Sequence, residues 1–336
     1  MNFTNNLVNI LLQNKIKKTI VLPESDDIRV LEAALKVRDM GFANIILIGN
    51  KDKIREIKKD FDFNNIDIID PLTFERFDEL VNTLYELRKE KGMTIEQAKE
   101  ILKDYIYFGV MLVKVGIADG LVAGAAHATP EVLRPALQII KTNKKAKIVS
   151  AFFLMEVPNC EYGANGKFIF SDSGLIENPT VEELSEIALT SAQTCRQFLQ
   201  VEPRIAMLSY STKGSASSEL TEKVIEATKL VKEKDSNLIV DGELQLDAAI
   251  DEEVAKRKAP NSPVGGKANV LIFPNLDAGN IGYKLVEKLA KANAYGPVTQ
   301  GLAQPVNDLS RSCKTDDIVG VIAITCMQAK GCEDNG

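Results

Sequence analysis

The residue types most able to do chemistry lie close together near the end of the chain, in PVNDLSRSCKTDDIVGVIAIT (305–325). Asn307, Asp308, Ser310 and Arg311 gather hydrogen-bonding groups where a strand should give way to a loop, and such a loop can hold an anion. The helix that follows should start near Thr315, whose hydroxyl can cap free backbone N–H groups, with Asp316 and Asp317 in its first turn. From Ile318 to Met327 that helix is apolar almost all round, so it should be interior and should leave Asp317 at the edge of a core, partly desolvated. On local pattern alone, helix capping is the simpler role for both aspartates. Ahead of the loop, Gly296, Pro297, Gly301 and Pro305 mark a turn-rich connection.

Other stretches offer weaker signals. The Gly/Ser loop STKGSAS (211–217), set between an apolar strand and a helix, could present backbone N–H groups to phosphate, but it lacks the P-loop pattern and serves equally well as a structural turn. DGELQLDAAI (241–250) holds Asp241, Glu243 and Asp247, a carboxylate set that a metal-dependent dehydrogenase would use. The single histidine, His127, reads as structural, and it leaves neither a Ser-His-Asp triad nor a multi-histidine metal site. Five cysteines without CxxC spacing suggest neither a disulfide framework nor a zinc site.

The elements that must position these groups alternate. In 336 residues, 45% hydrophobic and 26% charged, there is material for two domains with ordinary globular cores. A net charge of -6 argues against a general nucleic-acid surface while allowing a local basic pocket for an anionic ligand. No run is long enough to span a bilayer, and the amino terminus lacks a signal-peptide pattern, so a cytoplasmic protein is expected. Strands are expected at 19–23, 44–48, 66–69 and 120–123, with helices over 26–40, 74–91, 95–115 and from Pro135. Beyond the charged NKKAK (143–147), where a domain boundary is placed, strands are expected within 148–155 and at 204–209, 238–240 and 269–273. Helices there are expected over 181–199, 218–234, 245–258 and 280–293. Such alternation predicts an α/β fold with mainly parallel sheets flanked by helices. Whether the terminal helix finishes the second domain or crosses back to the first cannot be read from periodicity.

Collinear strings carry a resemblance. VLPESDDIRVLEAA (21–34), LRPALQIIKT (133–142), NPTVEELSEIALTSAQT (178–194), MLSYSTKGSA (207–216), DGELQLDAAI and KANVLIFPNLDAGNIGYKLVEKLA (267–290) join PVNDLSRSC and DDIVGVIAIT. Together they resemble the phosphate acetyltransferase (phosphotransacetylase) family, which moves acetyl between phosphate and coenzyme A. The resemblance implies two α/β domains, 1–145 with 300–336 and 146–299, arranged as in isocitrate and isopropylmalate dehydrogenases with the active site in the interdomain cleft. It matches Ser310, Arg311 and Asp317 to catalytic positions and Arg88 and Arg134 to coenzyme A or substrate binding. It further implies coenzyme A and acetyl phosphate as substrates, no metal or other cofactor, and a homodimer.

In that light the residue chemistry is coherent. A thiol is only a few per cent ionised at neutral pH, so a carboxylate such as Asp317 helps by taking its proton. Arg311 suits the departing phosphate, and Ser310 can donate to the thiolate or the developing oxyanion. Arg88, within ELRKEKG, would otherwise read as part of a solvated helix face, whereas Arg134, just before Pro135, suits a helix entrance. The sequence departs from the family pattern at Ser312, where glycine is usual, at Lys314, and in FSDSGLIENPT (170–180); a serine at 312 could change the loop conformation. Longer-chain acyl transfer, such as butyryl, and a non-catalytic acyl-CoA-binding protein stand as alternatives.

Overall fold

Apolar runs of strand length alternate with amphipathic helices, and each such pair must bury its apolar sides against a shared sheet. In the computed structural model, residues 3–143 and 146–333 are described. The chain divides into two compact units, Met1–Lys144 with Leu302–Gly336, and Lys145–Gly301. The boundary expected at 143–147 falls in part on residues 144 and 145, which lie outside the described residues.

The first unit runs α1 (Phe3–Gln13), β1 (Lys18–Leu22), α2 (Ile28–Met40), β2 (Ala43–Ile48), α3 (Lys51–Ile57), β3 (Asp67–Ile69), α4 (Phe77–Arg88), α5 (Ile95–Ile101), α6 (Tyr105–Lys114), β4 (Gly120–Ala123) and α7 (Thr129–Pro135). The second contains β5 (Ser150–Glu156), β6 (Lys167–Ser171), α8 (Val181–Leu199), β7 (Arg204–Leu208), α9 (Glu219–Lys234), β8 (Ile239–Leu244), α10 (Leu246–Ile250), α11 (Glu252–Lys258), β9 (Val270–Ile272), α12 (Leu276–Leu289) and β10 (Asn293–Gln300). The chain then returns to the first unit with β11 (Val306–Asp308) and α13 (Thr315–Glu333).

Among the described residues the first sheet has the order β11-β4-β1-β2-β3, with every pairing parallel. From β1 the chain runs outward through β2 and β3, then crosses to the other side of β1 to form β4 and finally β11. The order therefore reverses between β1 and β4, which opens a crevice beyond the carboxyl ends of these strands. Helix α13 covers this sheet, packing on α1, α2, β1 and β4. Ile318, Val321, Ile322 and Ile324 are fully buried, each contributing about 1.5–3 kcal/mol of transfer free energy. The side-chain amide of Asn307 donates to Thr325 Oγ1 at 2.8 Å and Gln328 Oε1 at 2.7 Å, fixing β11 to α13.

The second sheet has the order β10-β5-β6-β9-β7-β8. Its β10–β5 and β5–β6 pairings are antiparallel and the rest parallel, so the fold is α/β with mainly parallel sheets. Its core includes Phe153, Phe170, Leu271 and Tyr283, with the Phe153 and Tyr283 rings stacked at 3.8 Å.

Five local expectations change. The segment read as a turn-rich connection is partly strand β10: Gly296 and Pro297 occupy a register shift between Tyr295 and Val298, where the missing proline donor breaks no ladder bond. The expected helix over 95–115 is two helices, because Asp104 caps a new one with bonds from the Ile106 and Tyr107 N–H groups. Asp251 restarts the helix expected over 245–258 in the same way, and α12 begins at Leu276, capped by Asn275, not at 280. Pro135 ends α7 instead of opening a helix; beyond it the ladder resumes with wider spacing, the Lys141 N–H donating to Ala136 O.

Candidate functional site

One buried carboxylate ties the end of β1 to the loop after β4. Glu24, 1% exposed just past β1, accepts the N–H groups of Ala125, Ala126 and His127 at 2.9, 2.9 and 3.0 Å, and meets His127 Nδ1 at 2.8 Å. Burial pulls the His127 pKa down, but the bond to Glu24 and its charge outweigh that and hold it above the ordinary value. Arg29, at the start of α2, then joins three loops. It is paired with Asp27 (2.6 Å) and donates to the carbonyl oxygens of Ala125 (2.7 Å), Arg311 (2.9 Å) and Cys313 (2.9 Å). The bond from Arg29 holds the Asp27 carboxyl below its usual range.

Beyond β11 the polar side chains diverge by role. Asn307 turns inward to α13 and Asp308 turns to α7, its Oδ2 accepting from Thr129 Oγ1 at 2.5 Å. Ser310 is half-buried and Arg311 exposed, on a turn closed by the Cys313 N–H donating to Ser310 O at 2.8 Å. The hydroxyls of Ser310 and Ser312 lie 2.9 Å apart. Asp317 Oδ2 accepts the Lys314 N–H at 2.8 Å, so this carboxylate does the capping expected of Thr315, whose hydroxyl bonds Glu32 instead. Asp316 points elsewhere and pairs with Lys36. Ser312 is not among the residues with positive φ, so the serine fits there without backbone strain. Burial pushes the neighbouring Cys313 thiol up to about 11, which makes it a packing group, not a nucleophile.

Arg88, at the end of α4, and Arg134, in the last turn of α7, both act on Tyr107 of α6. Burial raises the Tyr107 phenol, and the charges of Arg134 and Arg88 oppose that rise. The Tyr107 hydroxyl donates to Gln138 Oε1 at 3.1 Å. Arg88 Nε is buried with no hydrogen-bond partner, which argues against the solvated-face reading. Arg134 sits inside α7 and not at a helix entrance, yet its side chain is exposed.

Among the described residues, Arg88, Arg134 and Arg311 are the arginines whose guanidinium groups have neither an ion pair nor a hydrogen bond to the protein. Arg29, Arg38, Arg55, Arg76 and Arg196 are paired with carboxylates, and Arg204 and Arg257 donate to carbonyl oxygens. The structure thus gathers Ser310, Arg311 and Asp317 on the β11–α13 loop and helix start, and places Arg88 and Arg134 around Tyr107. Glu24, Arg29, Thr129 and Tyr107 were not singled out from sequence. The first two stand just past the strand TIVLP, a carboxyl-end position that the predicted alternation could have flagged.

The weaker candidates are otherwise engaged. Within 211–217 the Gly214 N–H donates to Glu243 Oε1, Thr212 N–H to Ser215 Oγ and Ala216 N–H to Ser211 Oγ, so the loop spends these donors on itself and on β8. Asp241 is paired with Lys213 and Lys232, and Asp247 with Lys258, which commits the carboxylates a dehydrogenase would give to a metal. Among the described residues no helix is long and apolar enough to cross a membrane, and no cluster of His, Cys, Asp or Glu could hold a metal ion.

Ser310, Arg311 and the anchored Asp317 thus follow the carboxyl end of β11 in a parallel sheet, with Arg88 and Arg134 on the helices α4 and α7 of the same unit. Residues 3–326 match the family described as Phosphate acetyl/butaryl transferase, and the chain belongs to that family. A phosphate acetyltransferase of Acetivibrio thermocellus is 59% identical over 313 residues, covering 93% of this chain and 94% of the relative. A phosphotransacetylase from Streptococcus pyogenes superposes with TM-score 0.89 at 42% identity, covering 97% of this chain and 99% of that one. The EutD phosphotransacetylase from Staphylococcus aureus gives 0.86 at 43% identity with the same coverage.

Proposed function

We propose that the protein is a phosphate acetyltransferase that interconverts acetyl phosphate plus coenzyme A with acetyl-CoA plus phosphate. The observation that carries this reading is the set of three arginines without protein partners, Arg88, Arg134 and Arg311, in a family whose substrates are phosphorylated anions. Elsewhere in the chain the guanidinium groups are spent on carboxylates or carbonyls, so leaving these three unspent favours ligands that bring their own phosphates.

In the mechanism we infer, Arg88 and Arg134 hold coenzyme A and Arg311 holds the phosphoryl oxygens of acetyl phosphate. Asp317, oriented by the Lys314 N–H, takes the thiol proton. The thiolate attacks the acetyl carbonyl carbon, and Ser310 donates to the thiolate or to the oxyanion. The carbon–oxygen bond to phosphate then breaks, its electron pair leaving with phosphate, and Asp317 returns its proton to solvent or to the leaving group. Attack is direct, without an acyl-enzyme, and the chemistry asks for no metal or redox cofactor.

We further read the protein as a cytoplasmic homodimer joined through its second unit. Ile281, Leu285 and Leu289 support this, because they leave one stripe of α12 apolar and 58, 52 and 79% exposed. A coupled assay of acetyl-CoA formation from acetyl phosphate and coenzyme A, run beside butyryl phosphate, tests the activity. Turnover on acetyl phosphate at least tenfold above butyryl phosphate is expected, and no turnover on either would overturn the assignment.

A further inference from the structure

Asp308 closes β11 two residues ahead of Ser310, with its side chain 1% exposed. Oδ2 accepts the Thr129 hydroxyl at 2.5 Å, while Oδ1 is buried with no hydrogen-bond partner. Such an oxygen is costly in a folded core and calls for an explanation. Space for it exists only because residue 124 is glycine, at φ +105°: a Cβ there would fall 2.1 Å from Asp308 Oδ1. Thr129 is the first residue of α7 and Arg134 lies in its last turn, roughly 7.5 Å further along at about 1.5 Å per residue. One hydrogen bond therefore connects the loop of Ser310 and Arg311 to the helix that carries Arg134.

We propose that Asp308 and Thr129 form a latch that positions the Ser310–Arg311 loop against α7, holding the phosphate end and the coenzyme A end of the reaction in register. The proposal rests on the transferase reading above. Asp308 is a positioning residue in this scheme, acting through the loop it anchors.

The surroundings of Asp308 also link the latch to ligand occupancy. Burial pushes its carboxyl up to about 7; the Thr129 hydroxyl and the charge of Arg311 pull it down, while Glu24, itself bonded to His127, pushes it up. From α7 the latch partner is Thr129, from the β1–α2 loop the facing charge is Glu24, and from its own loop it is Arg311. An anion seated on Arg311 cancels the one favourable charge and so favours the protonated carboxyl. An empty site favours the carboxylate, whose bond to Thr129 is charge-assisted and tighter. Binding of acetyl phosphate and protonation of Asp308 are therefore linked, and the KM for acetyl phosphate should rise with pH through neutrality.

The test compares Thr129→Val, Thr129→Ser and Asp308→Asn with the wild-type enzyme, measuring kcat, both KM values and the thermal midpoint from about pH 6 to 8. Thr129→Val should lose roughly tenfold or more in kcat, and Thr129→Ser, which keeps the hydroxyl, should stay within about twofold of wild type. Asp308→Asn should flatten the rise of the acetyl phosphate KM with pH. Equal behaviour of the Val and Ser variants, or a pH dependence retained in Asp308→Asn, overturns the latch while wild-type turnover leaves the transferase assignment standing. A wild-type protein without turnover removes both.

Discussion

The guanidinium of Arg29 donates to the main-chain carbonyl of Arg311 at 2.9 Å, tying the loop after the first strand to the loop before the last helix. The same group reaches Asp27, Ala125 and Cys313, a fork that a lysine ammonium cannot reproduce. Arg29→Lys should lower kcat/KM for acetyl transfer by roughly tenfold to a hundredfold and unfolding free energy by about 1–3 kcal/mol. Steady-state kinetics beside urea denaturation measure both, and unchanged values would show that the loops hold their places unaided.

Arg311 itself has an exposed side chain and no protein partner, so removing it should spare the fold. Arg311→Ala is expected to cost on the order of 1.5–3 kcal/mol of transition-state stabilisation, about tenfold to a hundredfold in kcat/KM, with an unfolding midpoint like that of wild type. Near-normal turnover would take Arg311 out of the mechanism.

Asp317 serves the helix by accepting the Lys314 N–H, and the proposed mechanism asks it to accept a proton as well. Asparagine preserves the first role and not the second. Asp317→Asn should therefore lose only about 0.3–1 kcal/mol of stability but roughly 10²–10⁴ in kcat at neutral pH, recovering in part as alkaline pH ionises the thiol directly. Asp316→Asn, whose parent carboxylate pairs with Lys36 on another side of the helix, should keep its activity. Equal, mild losses in the two variants would return Asp317 to capping alone.

Stability should report on Asp308 independently of catalysis. A buried carboxyl that titrates at about 7 when folded, against 3.8 as the ordinary value, binds its proton more tightly in the native state. Its contribution is therefore fully present below about pH 4 and is lost as pH rises through 7, with a penalty approaching roughly 4 kcal/mol by pH 8. Asp308→Asn, which carries no charge to bury, should become more stable relative to wild type as pH rises from about 5 to 8. Denaturation curves at the two ends give the comparison, and a constant difference would place the Asp308 titration outside this window.

The hydroxyl of Ser312 lies 2.9 Å from that of Ser310. That contact engages a hydroxyl that the proposed mechanism uses as a donor. Both Ser312→Gly and Ser312→Ala should raise kcat by about two- to tenfold, since each removes the competing group. A rise in the glycine variant alone would trace the effect to backbone freedom instead.

Much of this was legible in the chain, and for identifiable reasons. The apolar surround of Ile318–Met327 announced a buried helix because burial on all sides leaves no polar stripe, and every residue of that run is buried in the first unit. Strand β10 was hidden because Gly296 and Pro297 signal turns, while the bulge that accommodates them exists only once β5 lies alongside. The helix breaks at Asp104 and Asp251 were missed because periodicity carries across a cap when the next helix keeps a similar phase. For the site, Ser310, Arg311 and Asp317 share a stretch of sequence, but Glu24, Arg29, Thr129 and Asp308 meet only through the order of strands in the sheet. Local pattern records no such adjacency.

The first unit is discontinuous, and its last strand and helix are made only after all of the second. During synthesis the earlier part of the first unit emerges with one edge of β4 unpaired and the bed of α13 uncovered, while the second unit has every segment it needs to fold. Arg311, Ser310 and Asp317 all lie in that late segment. A ribosome that stops short of β11 therefore releases a chain with a complete second unit, an apolar face on the first, and none of the loop to which the proposed mechanism assigns acyl transfer. On the proposed mechanism, turnover waits for the same segment that seals the core of the first unit.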